Sequence, residues 1–321
     1  MKKIVILFNL NKHQYEYEAE FDSEYTINEI FNVLNQKYEV YKLEADREFK
    51  WIDKLLSINP DLVFNICEGY NGPARESVYA AILEQLNFNY SGPDSTNLLI
   101  CHNKYLVKNM LKDFVLVPEG YAIKSNDDIK KLRNIKYPFI VKLNSEGSSM
   151  GMTKDSIVND FESMQREVYK LLNKYNRNIL VEKYIKGQDI SMIYVEGIGV
   201  MGPCIVKCDS EFYDYEMKTV KDNTVDIEML KGDYSKLKNI VYTIVKRLDI
   251  KGYAKLDFRF YKDNYYLIEV NSQVSFHPEG EFIVCANNGG FTFEQIINHI
   301  VDYALKDAHK KNSIGLGDMY E

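Results

Sequence analysis

GYAKLDFRFY at residues 252–261 and YYLIEVN at 265–271 decide how this chain is read. In the first stretch Lys255, Asp257 and Arg259 alternate with Ala254, Leu256, Phe258 and Phe260, and the second stretch alternates in the same way. A period of two marks a strand with one apolar face. With Lys262, Asp263 and Asn264 as the turn, Tyr261 pairs with Tyr265, Asp257 falls opposite Glu269, and Lys255 falls opposite Asn271. A slip of one residue would bury the charged face. Two carboxylates facing each other across a ladder repel, so something positive must stand between them. Lys255 and Arg259 could supply it as a salt-bridge ladder. So could a divalent cation held by oxygen ligands, as Mg²⁺ is when it carries nucleotide phosphates.

The chain has 321 residues, 45% of them hydrophobic, enough for two or three domains with cores of their own. A net charge of -7 excludes a general nucleic-acid or membrane-surface binder, which needs a basic stripe. MKKIVILFNLN opens like a signal peptide, but its apolar run covers only 4–8 and no small-residue cleavage site follows, so a first core strand is expected. No segment approaches the roughly 20 apolar residues that cross a bilayer. Cys67, Cys101, Cys204, Cys208 and Cys285 are odd in number and scattered, which fits reduced thiols in a cytoplasmic protein. Cys204 and Cys208 have no second pair to complete a zinc site, and no histidines show metal-ligand spacing.

Strands expected at 3–8, 39–43 and 62–67 alternate with helices near 27–38, 47–56 and 75–86. That order implies an N-terminal parallel α/β domain at 1–95, with ligands at the carboxyl ends of its strands. A central α+β domain follows at 96–181, with strands at 120–123, 139–143 and 179–185. A strand-rich C-terminal domain at 182–308 has helices at 234–248 and 293–305, and a polar tail at 309–321 is expected to fray.

Three places outside the hairpin carry chemistry. The loop CEGYNGPARE holds Glu68, Arg75 and Glu76 at the end of the third strand, as substrate contacts or as a plain turn capping a helix. Glu146 to Met152 joins two glycines and two serines, which suits a simple turn or a lid whose backbone N–H groups fold over a polyphosphate. Lys142 sits in the apolar strand FIVKLN and must reach water or meet an anion; Lys104, on the preceding helix, offers a second positive charge. The strand ILVEKYI ends where two domains meet. Its free backbone groups suit a purine edge, and Asp189 suits ribose hydroxyls.

KLNSEGSSMGM, LVEKYIKGQD, FYDYEMK and AKLDF with LIEVNS resemble the motifs of ATP-grasp enzymes, most closely the D-alanine:D-alanine ligase group. NICEGYNGPARES, YSGPDS and CHNKYLVK are similar to the exit of that group's first domain. The resemblance runs in order from about Leu62 to Phe293 and implies a three-domain ATP-grasp architecture. By it, Lys104 and Lys142 contact ATP, and Glu146, Ser148, Ser149 and Met150 belong to the loop over the phosphates. Glu182, Lys183 and Ile185 hold adenine, Asp189 the ribose, and Lys218 the γ-phosphate side. Asp257, Glu269 and Asn271 hold Mg²⁺, two ions, with Mn²⁺ as a substitute. Catalysis falls to Lys255, Ser148 and Lys218, with Lys255 in the place of the family's arginine. A homodimer is implied as well.

Three departures bear on the substrate. FNLNKH replaces the family's Gly-rich turn and glutamate after the first strand, Thr219 follows Lys218 where an aromatic is usual, and SQVSFHPEGE follows Asn271. They lead to the expectation of a carboxylate-amine ligase that works through an acyl phosphate on a small amino-acid-like substrate other than D-alanine. His277, Glu279 and Glu281 would line a pocket for a cationic amine, and the loop 212–221 would close over the site. The other readings are D-alanine:D-alanine ligase itself, an ATP-binding module without ligation, and a kinase that stops at phosphorylation.

Overall fold

A computed structural model describes residues 1–13, 15–207 and 226–311, apart from the side chains of Asn126 and 307–311. Lys218, Thr219, Cys208, the loop 212–221 and the tail beyond Lys311 lie outside the described residues.

The first sheet has the order β2 (Glu39–Glu44), β1 (Lys3–Phe8), β3 (Leu62–Ile66), all parallel. Ile4 to Leu7 are fully buried because helices cover both faces. Ile4, Ile6 and Phe8 pack with Ile27, Ile30 and Leu34 on one side, while Val5 and Leu7 pack with Trp51, Leu55, Tyr79 and Leu83 on the other. An unbroken apolar run is what a doubly covered parallel strand requires. The helix expected at 27–38 is Glu24–Leu34, because Ser23 caps it by accepting from Thr26 N at 3.2 Å.

The second sheet has the order β4 (Gly120–Ile123), β7 (Ile179–Lys183), β5 (Phe139–Leu143), β6 (Ile157–Val158), all antiparallel, under the helix Phe161–Tyr175. The third has the order β10 (Asp226–Met229), β9 (Gly199–Lys207), β8 (Gln188–Val195), β11 (Tyr253–Tyr261), β12 (Asn264–Asn271). The helix Ser235–Leu248 covers the face that carries Ala254, Leu256 and Phe258. Ile193, Met201 and Tyr253 pack with Phe276, Phe282 and Ile4 in a core that joins the first and third sheets. The last helix runs on to Lys311, past the point where fraying is expected.

The hairpin keeps the expected pairs Asp257 with Glu269 and Lys255 with Asn271, but by a different route. Its turn has two residues, Lys262 and Asp263, at φ 48° and 61°, so Tyr261 pairs with Asn264 and not with Tyr265. Positive φ at both central residues is the I′ geometry that matches strand twist. Between Phe258–Leu267 and Asp257–Glu269, Ile268 is the extra residue of a β-bulge. The short turn moves the register by one and the bulge moves it back.

Candidate active site

A cleft lies between the second and third sheets. Its walls are β5, the loop after it, the end of β7, and the charged face of β8, β11 and β12. Lys104, Lys142, Glu146, Ser149, Met150, Glu182, Lys183, Ile185 and Asp189 line it, as do Lys255, Asp257, Glu269 and Glu281.

On the hairpin side Asp257 is held from three directions. Ser191 Oγ donates to its Oδ1 at 2.6 Å, Asn271 Nδ2 to its Oδ2 at 2.8 Å, and Lys255 Nζ to both oxygens at 3.0 and 2.8 Å. Asn271 Nδ2 also stands 3.5 Å from Glu269 Oε1. Burial pushes Asp257 up to about 6; Lys255 opposes this, while Glu281 and Glu269 add to it. Burial pulls Lys255 down, but Asp257 and Glu281 outweigh it and hold the ammonium well above its usual range. Two carboxylates and a carboxamide form an all-oxygen donor set, which fits Mg²⁺.

Across the cleft, Lys142 meets Glu182 Oε2 at 2.9 Å, and Lys108 binds the other oxygen of the same carboxylate. Burial raises Glu182, but the two lysines outweigh it and hold it below the usual carboxylate range. Burial brings Lys108 down to about 7 in spite of Glu182. Lys104 Nζ donates to Glu146 O at 2.7 Å and reaches Glu269 Oε2 at 3.3 Å. Its helix, Lys104–Leu111, is fixed to the end of β5 because Asn144 Oδ1 accepts from Tyr105 N at 2.9 Å and Asn144 Nδ2 donates to Asn103 Oδ1 at 2.9 Å.

In the loop after β5, Ser148, Ser149 and Gly151 have φ of 47°, 54° and 74°. Two turns, Met150 N to Gly147 O at 3.0 Å and Met152 N to Ser149 O at 2.9 Å, fold the loop, and turns of this kind present backbone N–H groups to anions. A Cβ at Gly147 would run into the Glu20 carboxylate, which would have to move aside. Ser148 is not among the residues lining the cleft, although Gly147 and Ser149 on either side of it are. Asp189 pairs with Arg259 Nε at 2.6 Å at the more exposed end.

The structure separates the expected substrate contacts. Glu281 reaches the cleft, but its carboxylate is bonded to Lys255 and forms no open pocket for an amine. His277 and Glu279 lie outside the cleft; Glu279 N donates to His277 Nδ1 at 3.2 Å, and the His277 ring packs on Tyr25. Glu68, Arg75 and Glu76 are buried outside this cleft, and Glu76 lines a small neighbouring pocket with Glu20, His102, Lys104, Glu269 and Asn271. Arg75 binds Glu20 and Glu146 and stands 3.8 Å from Glu68 and 4.0 Å from Glu76, which also meets His102 Nδ1 at 2.5 Å. Glu20, Glu68 and Glu76 offer oxygens within 4.8 Å of one another, but a guanidinium already lies among them.

Three residues of the site and one of the Arg75 cluster escape the sequence reading. Ser191 follows Asp189 by two on the same strand and so was open to the period-two rule. Lys108 follows Lys104 by one helical turn. Ile268 enters the cleft through the bulge, and Glu20 comes from an irregular segment; neither leaves a pattern in the sequence.

Sheet order, lid and cleft define an ATP-grasp fold, which this chain shares with a D-alanine–D-alanine ligase from Bacillus anthracis complexed with ATP. The two align at a TM-score of 0.78 and 18% identity over 97% of this chain and 100% of that one. The model of the family described as D-ala D-ala ligase C-terminus matches residues 111–302, well over half of the chain, and the chain belongs to that family of C–N bond-forming ATP-grasp ligases. It is 28% identical over 287 residues to the D-alanine–D-alanine ligase of Thermotoga petrophila, covering 88% of this chain and 89% of that one. With the enzyme of the same name from Aquifex aeolicus it shares 29% over 268 residues, 82% and 89% of the two chains. These likenesses overturn the expectation of a substrate other than D-alanine. Two of the departures on which it rested, at 8–13 and 272–281, sit mostly in loops, where sequence drifts without changing the fold that the relatives share along most of their length, and the third, Thr219, lies outside the described residues.

Among the described residues no helix is long and apolar enough to cross a membrane.

Proposed function

We propose that this chain joins two molecules of D-alanine at the expense of ATP. The carboxylate of the first attacks the γ-phosphate, giving an acyl phosphate and ADP. The amine of the second then attacks the acyl carbon, the amide forms, and phosphate leaves with the carboxylate oxygen it had taken. The carrying observation is the convergence of Lys104, Lys142, Asp257, Glu269 and Lys255 on one cleft in a chain whose relatives are named for this reaction.

Each residue has a task set by its place. Ile140, Met150, Ile185 and Ile268 provide the apolar slot an adenine ring needs, and Asp189 accepts from ribose hydroxyls. Lys104 and Lys142 exchange their carboxylate partners for phosphate oxygens, while Lys108 keeps Glu182 neutralised when Lys142 leaves it. Asp257, Glu269 and Asn271 would hold Mg²⁺, which supplies charge neutralisation of the transferred phosphoryl group. Lys255 stabilises the negative oxygen of the tetrahedral adduct with a point charge where an arginine would offer a planar fork. The loop carrying Ser148 and Ser149 excludes water from the acyl phosphate. Lys218 belongs to this proposal through the resemblance.

Phosphate release measured with Mg²⁺ and ATP, with and without D-alanine, tests the reading. D-alanine should raise the rate well above the ATP-only rate. Equal rates would remove the proposal. A homodimer in the cytoplasm completes it, and light scattering on the purified chain should give twice the mass of one chain.

A further inference from the structure

D-alanine is a zwitterion. While its amine attacks as acceptor, its carboxylate enters the cleft and must meet a cation or lose its hydration without return. Among the described residues, most of the cations lining the cleft are committed elsewhere: Lys142 to Glu182, Lys104 to Glu269 and Glu146 O, and Arg259 to Asp189 at the exposed end. Lys183 points away and donates to Lys136 O. Lys255 stands beside the Asp257 side of the site, and it already holds a second carboxylate, that of Glu281.

Glu281 is not part of the hairpin. It reaches over from the first turn of the helix Glu281–Asn288, whose backbone is fixed by its other side chains. Cys285 Sγ donates to Ser191 O at 3.3 Å, and Asn288 Nδ2 donates to Pro203 O at 2.8 Å and Leu230 O at 3.1 Å. Phe282 and Ile283 are buried. The Glu281 side chain at the front of this anchored helix is 23% exposed and its carboxylate bonds Lys255, whereas Asp257 is held by Ser191 and Asn271 as well as by Lys255.

We propose that Glu281 occupies on Lys255 the place of the acceptor's carboxylate, and that each acceptor must displace it. Glu281 is therefore an internal competitor that sets how tightly the acceptor binds. The inference rests on the D-alanine reading above. It assigns Glu281 a role opposite to that of a brace, which would lower turnover when removed.

Steady-state kinetics of the full chain at saturating Mg²⁺ and ATP separate the two roles. Glu281→Gln keeps the size of the side chain and removes its charge. The apparent KM for D-alanine should fall about fivefold, the scale of releasing one ion pair, with the KM for ATP unchanged. Glu281→Asp, which keeps the charge, should return the KM toward that of the parent. An unchanged or raised KM for D-alanine in Glu281→Gln, or a loss confined to kcat, overturns the inference. If Glu281→Gln does not fold, as judged by its thermal midpoint, Glu281→Ser is held to the same criterion. A parent chain without D-alanine-dependent phosphate release would instead refute the proposed function.

Discussion

The hairpin β11–β12 and the Arg75 cluster are both dense in buried charge, and they are built in opposite ways. On the hairpin, Lys255, Asp257 and Glu269 come from two paired strands and face an open cleft, with Asn271 beside them at the small pocket next to it. Around Arg75 the charges come from separate segments that bring Glu20, Glu68, Glu76, His102 and Glu146 together, with Glu20 and Glu146 bonded to the guanidinium and Glu76 to His102. Charges displayed on a regular element are available to a ligand. Charges gathered around one guanidinium from loops and from the ends of two helices hold the first sheet to the lid.

Lys255→Ala should break this division most sharply. Turnover should fall about a thousandfold, the range seen when a donor to a developing oxyanion is removed, while ATP still binds within a few-fold of the parent. Titration calorimetry with ATP beside the phosphate-release assay checks both halves.

Arg75→Ala should do the reverse. It takes the guanidinium from Glu20 and from buried Glu68, while Glu76 keeps His102 and Glu146 keeps Arg177, so stability in a urea titration should drop by roughly 3–5 kcal/mol, the usual cost of breaking a buried pair from one side. A variant as stable as the parent would make the cluster a ligand site after all.

Asp22 sharpens the comparison from the first sheet's side. It is buried near the cluster, 3.3 Å from Ser275 Oγ, and burial pushes it up to about 7 from 3.8 against that hydrogen bond. The folded chain therefore keeps a proton that the unfolded chain has released between about pH 4 and 7. The stability linked to Asp22 is complete below that window and lost as pH rises through it. Asp22→Asn should raise stability at pH 8 by up to a few kcal/mol, at about 1.4 kcal/mol for each tenfold difference in proton affinity between the folded and unfolded chain, and change little at pH 4. Urea titrations at the two pH values give the sign directly.

Ile268→Ala should have the smallest effect. Trimming the residue that the bulge turns into the adenine slot should raise the KM for ATP several-fold, from about 1 kcal/mol of lost apolar contact, and leave kcat nearly unchanged. An unchanged KM for ATP would leave the bulge without a role in nucleotide binding.

The same contrast explains what the sequence could tell. The run Ile4 to Leu7 announces a doubly covered strand, and the alternation at 252–261 and 265–271 announces which side chains share a face. The pairing of Asp257 with Glu269 was legible even though the turn was not, because a two-residue turn and a bulge cancel in the register. Nothing in the composition of 262–268 reveals that cancellation, so Ile268 stayed hidden. Ser191 and Lys108 obey simple spacing from Asp189 and Lys104 and were within reach. Arg75 was visible as a charge near a strand end, but its partners lie as far off as Glu146, and only the assembled fold brings them to the guanidinium. Glu281 was visible too, but not its bond to Lys255, which depends on where a helix 26 residues later in the chain comes to rest.

A crystal structure of the chain with Mg²⁺ and a non-hydrolysable ATP analogue tests the central claim most directly. It should place Asp257 and Glu269 oxygens about 2.0–2.1 Å from the metal, with the triphosphate over the hairpin and the Arg75 cluster unchanged. Metal bound among Glu20, Glu68 and Glu76, with Asp257 still held by Lys255 and no metal on the hairpin, would contradict it.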